Sequence, residues 1–209
     1  MRSTILLSLT ILTLACGTAS ADVINLVTNG SFEQGTLGIG SFTGWTTNAD
    51  GVSTYVDSDG LTGNLYGDAT NGLWSAFFGQ TAALGGAFIS ENLATTANSV
   101  YVLSFDLANS NQGGPAVNSF AVSIAGTPVF TIGDVSDQNY VHEWYSFTAS
   151  GSVTSLQISA SNDNGYFDLD NVAVSPAPEP AAFALMGIGI LVLCGQRFFR
   201  RAALLRKHI

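Results

Sequence analysis

The stretch from Asp22 to Pro176 holds all but one of the chain's 15 Asp and Glu residues and none of its 6 Lys and Arg residues. His142 is the only basic side chain there. Each of these carboxylates must therefore be solvated, hydrogen-bonded to neutral donors, or neutralised by a metal ion. Asp168 and Asp170 form the clearest pair. In an alternating strand, residues two apart share a face, so their carboxylates converge. The plainer alternative is two solvent-facing acids on an edge strand.

These residue types exclude several reaction classes. Cys16 and Cys194 lie outside the stretch, so neither a Cys nucleophile nor a disulfide is available within it. His142 sits in Tyr140-Val141-His142-Glu143-Trp144, a strand-like context without a nucleophile-elbow motif. One His and no Cys cannot supply the usual zinc ligands. A glycosidase needs two carboxylates at a set separation, which spacing in sequence does not test. With no Lys or Arg to orient substrate, the stretch is expected not to be an enzyme. Its negative charge argues against nucleic acid, anionic lipid and acidic polysaccharide as partners. Neutral glycans, divalent cations or simple solubility remain.

The elements that must position these groups read as all-β. Val100 to Leu107, Phe120 to Ile124, Val153 to Ile158 and Phe167 to Val174 are strand-length runs with alternating, β-branched or aromatic residues. Turn signals separate them at Asn29-Gly30, Asp59-Gly60, Asn71-Gly72, Gly113-Gly114-Pro115, Gly126-Thr127-Pro128 and Asn164-Gly165. Short strands at intervals of about ten residues predict one β-sandwich or jelly roll, with no amphipathic helix. Its length suffices for a full core. Residues 50–71 read as polar and irregular, and Ser175 to Glu179 as a linker.

Particular residues resemble a family. Asn25-Leu26-Val27-Thr28-Asn29-Gly30-Ser31-Phe32-Glu33, followed by Gly44-Trp45, is similar to the opening of carbohydrate-binding-module-like jelly rolls of the galactose-binding type. The similarity continues through Tyr101 to Leu107 and Trp144 to Thr148, and closes at Phe167 to Val174. Ile89-Ser90-Glu91-Asn92 departs from the Ser-Gln often found in such proteins. The resemblance implies a structural calcium held by Glu33 and Asp170, with Asp168 as a further ligand. Calcium takes six to eight oxygens, and these acids have no cationic partner. Asp57-Ser58-Asp59-Gly60 looks like the start of a calcium loop but lacks the later Glu and Gly spacing, and is read as a turn.

A sugar site needs aromatic faces and a few polar groups. Candidate aromatics are Trp45, Tyr55, Tyr66, Trp74, Tyr140 and Trp144. Candidate polar partners are Asn48, Asn64, Asn109, Asn111, Gln112 and Asn118. Tyr66 and Trp74 are preferred as loop aromatics, whereas Trp45 and Trp144 lie in framework motifs and are expected in the core.

The two ends of the chain read as export signals. Met1-Arg2, the apolar Ile5 to Ala15 and Ala19-Ser20-Ala21 make a cleaved signal peptide over 1–21. Lipidation at Cys16 is the alternative. The tail, 176–209, carries Pro178-Glu179-Pro180, an apolar helix over about 181–196 and a basic end, 197–209. That helix is short for a bilayer core of about 30 Å, but Phe198, Phe199 and snorkelling Arg side chains extend it. The cationic end is held on the cytoplasmic side. This tail resembles the PEP-CTERM sorting signals processed by exosortases in Gram-negative bacteria; an ordinary tail anchor is the alternative. Together these features predict an exported protein whose body, 22–175, is a jelly-roll β-sandwich. It would pass through an inner-membrane intermediate to the cell surface or extracellular matrix. Its expected partners are an exosortase-type enzyme and extracellular polysaccharide. A purely structural coat or matrix protein is the alternative, and a glycoside-active enzyme is less favoured.

Overall fold

The computed structural model describes residues 24–34, 42–58, 70 and 72–177. The expected signal peptide, Tyr66, Asn64, the Pro178-Glu179-Pro180 motif, the apolar helix and the basic end lie outside the described residues. Among the described residues, no helix is long and apolar enough to cross a membrane.

Among the described residues, ten strands form two five-stranded antiparallel sheets packed face to face, the expected all-β sandwich. The first sheet runs β1 (Thr46–Thr47), β4 (Ala87–Ala94), β9 (Val153–Asn162), β6 (Asn118–Ile124), β7 (Thr127–Gly133). The second runs β2 (Thr54–Ser58), β3 (Trp74–Phe78), β10 (Tyr166–Pro176), β5 (Val100–Ser110), β8 (Gln138–Thr148). Period-2 alternation sorts each strand between core and outer face. Leu103, Phe105 and Leu107 of β5, and Phe167 and Leu169 of β10, point into the sandwich and are fully buried. Phe120 from the first sheet packs against Phe105 and Phe167 of the second, with ring centroids 6.0 and 5.3 Å away. Tilted contacts of this kind add to the stabilisation from the area that aromatics bury.

Two expectations need correction. Residues 50–71 are not wholly irregular: Thr54–Ser58 is strand β2, paired with β3, so Asp57 and Ser58 belong to a strand rather than a turn. The linker also starts later than Ser175. Ser175 and Pro176 pair with Val102 and Tyr101, and the Ala177 N–H donates to the Val100 carbonyl at 2.9 Å.

The opening segment is stitched to the end of the domain. The Leu26 N–H donates to the Val174 carbonyl, and the Val172 N–H to the Gly30 carbonyl. Asn25 adds a side-chain bridge, accepting from the Val174 N–H and donating to the Val172 carbonyl. A Cβ on Gly30 would lie 1.9 Å from the Val172 oxygen, so only glycine permits this approach. The β6–β7 hairpin turns at Ala125 and Gly126, both at positive φ, a geometry that matches the right-handed twist of the strands.

Candidate functional site

The outer face of the second sheet gathers the polar chemistry. Antiparallel register places Asp170 of β10 opposite Asp106 of β5, and Asp106 opposite His142 of β8. On the far side, Asp57 of β2 stands opposite Ser75 of β3. The next row toward the β10 N-terminus carries Tyr55, Phe77, Asp168 and Ala108 across β2, β3, β10 and β5. Asp168 and Asp170 thus share one face. They do not lie on an edge strand, because β10 is the middle strand of its sheet. Asp170 is fully buried, and Asp57, Asp106 and Asp168 nearly so.

Neutral donors hold these carboxylates. Thr70 Oγ1 lies 2.5 Å from Asp106 Oδ2 and 3.0 Å from Asp170 Oδ2. The Asn171 N–H donates to Asp170 Oδ1 at 2.6 Å, and Asn171 Nδ2 to Asp106 Oδ2 at 3.3 Å. Asn171 can make this pair of contacts because β10 bulges between Asp170 and Ala173, with Asn171 at positive φ. Bulges of this kind re-aim side chains beside functional sites. Asp106 Oδ1 lies 2.7 Å from Nδ1 of His142, whose side chain is 56% exposed against 10% for Asp106. In the tautomer that carries its proton on Nδ1, His142 donates to the Asp106 carboxylate and keeps Nε2 as an acceptor. Burial, followed by the charge of Asp168, pushes the Tyr140 phenol far above its ordinary range. Burial, followed by Tyr166, does the same for Tyr55.

Trp144 completes this face. It follows Tyr140 and His142 at the same parity along β8, opposite Ser104, and is 66% exposed. The expectation that Trp144 lies in the core is therefore corrected. Its neighbours Tyr145 and Phe147 take the inward parity and pack on the core instead. Burial, then Glu143, pushes the Tyr145 phenol up to about 12.

Trp74 is corrected in the opposite sense. It is 8% exposed and joins Ala76 and Phe78 in the core cluster, because β3 starts at Trp74 and turns alternate residues inward. It offers no open face to a sugar. Trp45 is in the core, as expected. Asn109, Asn111 and Asn118 are also structural. With Asn162 they form a buried amide network that closes on the Val135 carbonyl. Asn48 clamps β4 through the Phe88 N–H and the Gly86 carbonyl.

Glu33 Oε1 accepts from the Leu73 and Trp74 N–H groups at 2.7 and 2.8 Å, tying the opening segment to the start of β3. Asp170 is held by Thr70 and Asn171. Among the described residues, no three His, Cys, Asp or Glu side chains are grouped to hold one ion. As placed, Glu33 is engaged with the β3 backbone, while Asp168 and Asp170 share one face of β10.

No protein-family model matches the chain, and no curated protein matches it. Solved structures do. The TmCBM61 module in complex with β-1,4-galactotriose aligns with a TM-score of 0.54 at 12% identity, over 74% of this chain and 99% of that one. The enzymatically active domain of bacteriophage CBA120 tailspike protein 4 aligns with a TM-score of 0.50 at 14% identity, over 74% of this chain. This chain covers 22% of that larger one. At such identities the likeness shows the fold, a jelly roll of the kind found in carbohydrate-binding modules.

Proposed function

We propose that the chain is an exported carbohydrate-binding protein whose site is the outer face of the second sheet. The observation that carries this reading is Trp144, a largely exposed indole beside the His142–Asp106 pair. An open aromatic face supplies apolar area for a sugar ring, and nearby oriented polar groups take its hydroxyls. The fold of the TmCBM61–galactotriose complex supports the reading at the level of architecture. Binding without catalysis fits the burial pattern: Asp106 and Asp170 both contact Thr70, but Asp170 is fully buried, out of reach of a glycosidic oxygen. The test is a glycan array with wild-type protein and Trp144→Ala. Binding abolished by the substitution supports the site, and no binding to any glycan favours the structural-coat reading.

The chain ends extend the proposal to sorting. The Pro178-Glu179-Pro180 tail supports processing by an exosortase-type enzyme and delivery to the cell surface or matrix of a Gram-negative bacterium, where extracellular polysaccharide is the partner. Pro178→Ala with Glu179→Ala should block processing and surface release; unchanged processing removes this part.

Calcium is a separate proposal. It is supported by the resemblance and by Asp168 and Asp170 sharing one buried face of β10. Using Glu33 as a ligand would require its carboxylate to release the Leu73 and Trp74 N–H groups. A calcium-dependent melting shift of about 5–10 °C, lost in Asp170→Ala, is the outcome that supports it. Equal melting with calcium and with chelator removes it.

A further inference from the structure

We infer that the β8 edge pairs with the same edge of a second copy about a two-fold axis, setting two Trp144 indoles side by side on one continuous face. The pairing stands on the edge itself, whereas its use for a sugar rests on the carbohydrate-binding reading of that face. Strands β7 and β8 end their sheets on the same side of the sandwich, where Phe130 and Tyr145 pack with ring centroids 5.5 Å apart. The core is thinly covered there. Val129, Phe130 and Ile132 of β7, Val135 after it, and Tyr145 and Phe147 of β8 are only partly buried, and Val141 and Trp144 are exposed. Strand β8 also lacks the devices that protect an edge. It runs 11 residues without Pro or Lys, and its register with β5 is unbroken from Val141 to Thr148. Its inward acid, Glu143, lies opposite Phe105 and is engaged by the Tyr145 hydroxyl at 2.8 Å. Among the described residues, no strand pairs with the free side of β8.

Two-fold symmetry selects the register. Opposite residues of an antiparallel pair share a face, so the axis must pass through a residue of β8 rather than between two. Centred on Glu143, two carboxylates meet, which is unfavourable. Centred on His142, Val141 meets Glu143; centred on Tyr145, Glu143 meets Phe147. Centred on Trp144, every opposite pair matches. Val141 then meets Phe147 and Glu143 meets the hydroxyl of Tyr145 on the core side, while His142 meets Ser146 and the two indoles adjoin on the outer face. This register pairs Tyr140 to Thr148, about 30 Å of edge. The β7 edges lie alongside in the second layer, about 10 Å away. The contact therefore covers on the order of 600 Å² per partner, the low end of a specific interface.

The experiment uses the full-length protein with Cys16→Ala and Cys194→Ala, so that an introduced cysteine is the only one. Trp144→Cys lies on the axis, with Cα atoms about 4.5–5.5 Å apart, and should form a disulfide between copies under mild oxidation. His142→Cys lies about 13 Å from its copy along the strand and should not. In the native sequence, Val141→Lys puts a charge on the edge and should weaken self-association in sedimentation by roughly tenfold or more, at an unchanged melting temperature. It leaves Trp144 in place, yet should weaken binding to β-1,4-galactan or xylan by roughly tenfold or more, because two joined sites bind a polymer together. Cross-linking at both positions or at neither, or association indifferent to Val141→Lys, overturns the pairing; polymer binding by such a monomer leaves the Trp144 site standing. Polymer binding unchanged in a monomeric Val141→Lys overturns the shared platform. A dimer that cross-links at Trp144→Cys alone, while the native protein binds no neutral polymer, supports the pairing and removes the sugar reading.

Discussion

Asp106 on β5 and His142 on β8 face each other across the strand pair, with Asp106 Oδ1 2.7 Å from His142 Nδ1. The carboxylate is buried and the imidazole is not, so the charge inside orients a hydrogen-bonding group outside. Asp106→Asn and His142→Ala should each weaken glycan binding, by about 1–2 kcal/mol. Because the two act as one unit, the double variant should lose about as much as either single one. Titration calorimetry on the four proteins measures this. Fully additive losses would show that Asp106 does not act through His142.

The two tryptophans should separate stability from binding. Trp74→Ala removes a core indole and should cost about 3–5 kcal/mol of stability. Trp144→Ala alters an exposed side chain and should move stability by no more than about 0.5 kcal/mol. Denaturant unfolding of both variants checks the contrast. A large loss in Trp144→Ala would place that indole in the packing.

Glu33 should behave as a fastener. Its carboxylate accepts two backbone N–H groups at the start of β3, and Glu33→Ala leaves them without that acceptor. The expected loss is about 0.5–1.5 kcal/mol, and Glu33→Gln should lose less because its amide oxygen can still accept. Chemical denaturation of the two variants gives the comparison. Equal, negligible losses would show that water replaces the acceptor at no cost.

Asp50 should give the fold an acid-sensitive element. Its slight burial raises the carboxyl pKa, but bonds from Ser53 Oγ and the Val52, Thr54 and Ser53 N–H groups outweigh this and lower it from 3.8 to about 2. A lowered folded-state pKa stabilises above the unfolded value, and that contribution is lost as pH falls from about 4 through about 2. Solvent screening of this exposed group limits it to about 1 kcal/mol. Asp50→Ala should therefore be destabilised at neutral pH and match wild type near pH 2. A difference that persists at pH 2 would assign the effect to the turn backbone instead.

Much of this architecture was legible from strand periodicity. The alternation of Leu103, Phe105 and Leu107 predicts a half-buried strand, and the same parity rule puts Asp168 and Asp170 on one face. Their burial was not legible, because sequence does not reveal that β10 takes the middle of its sheet. Strand β2 was missed because five residues within a turn-rich, polar stretch carry little pattern. Trp74 was misread as a loop residue for the same reason, since β3 directly follows that stretch. Trp144 and Tyr145 are adjacent, so one had to face outward. The inward packing of Tyr145 and Phe147 decides which, and the same parity carries His142 outward. Asp106 could have been singled out by that rule, as the acid among outward positions of a strand whose inward residues Leu103, Phe105 and Leu107 are apolar. Thr70 bears no local signal: its role depends on two strands distant in sequence.

The most direct measurement is the affinity of the purified protein for a neutral β-linked polysaccharide, compared with Trp144→Ala at equal folded stability. Binding by the native protein and at least a tenfold loss in the variant is the expected result. Equal binding by both, or none by either, would contradict a glycan site on the outer face of the second sheet.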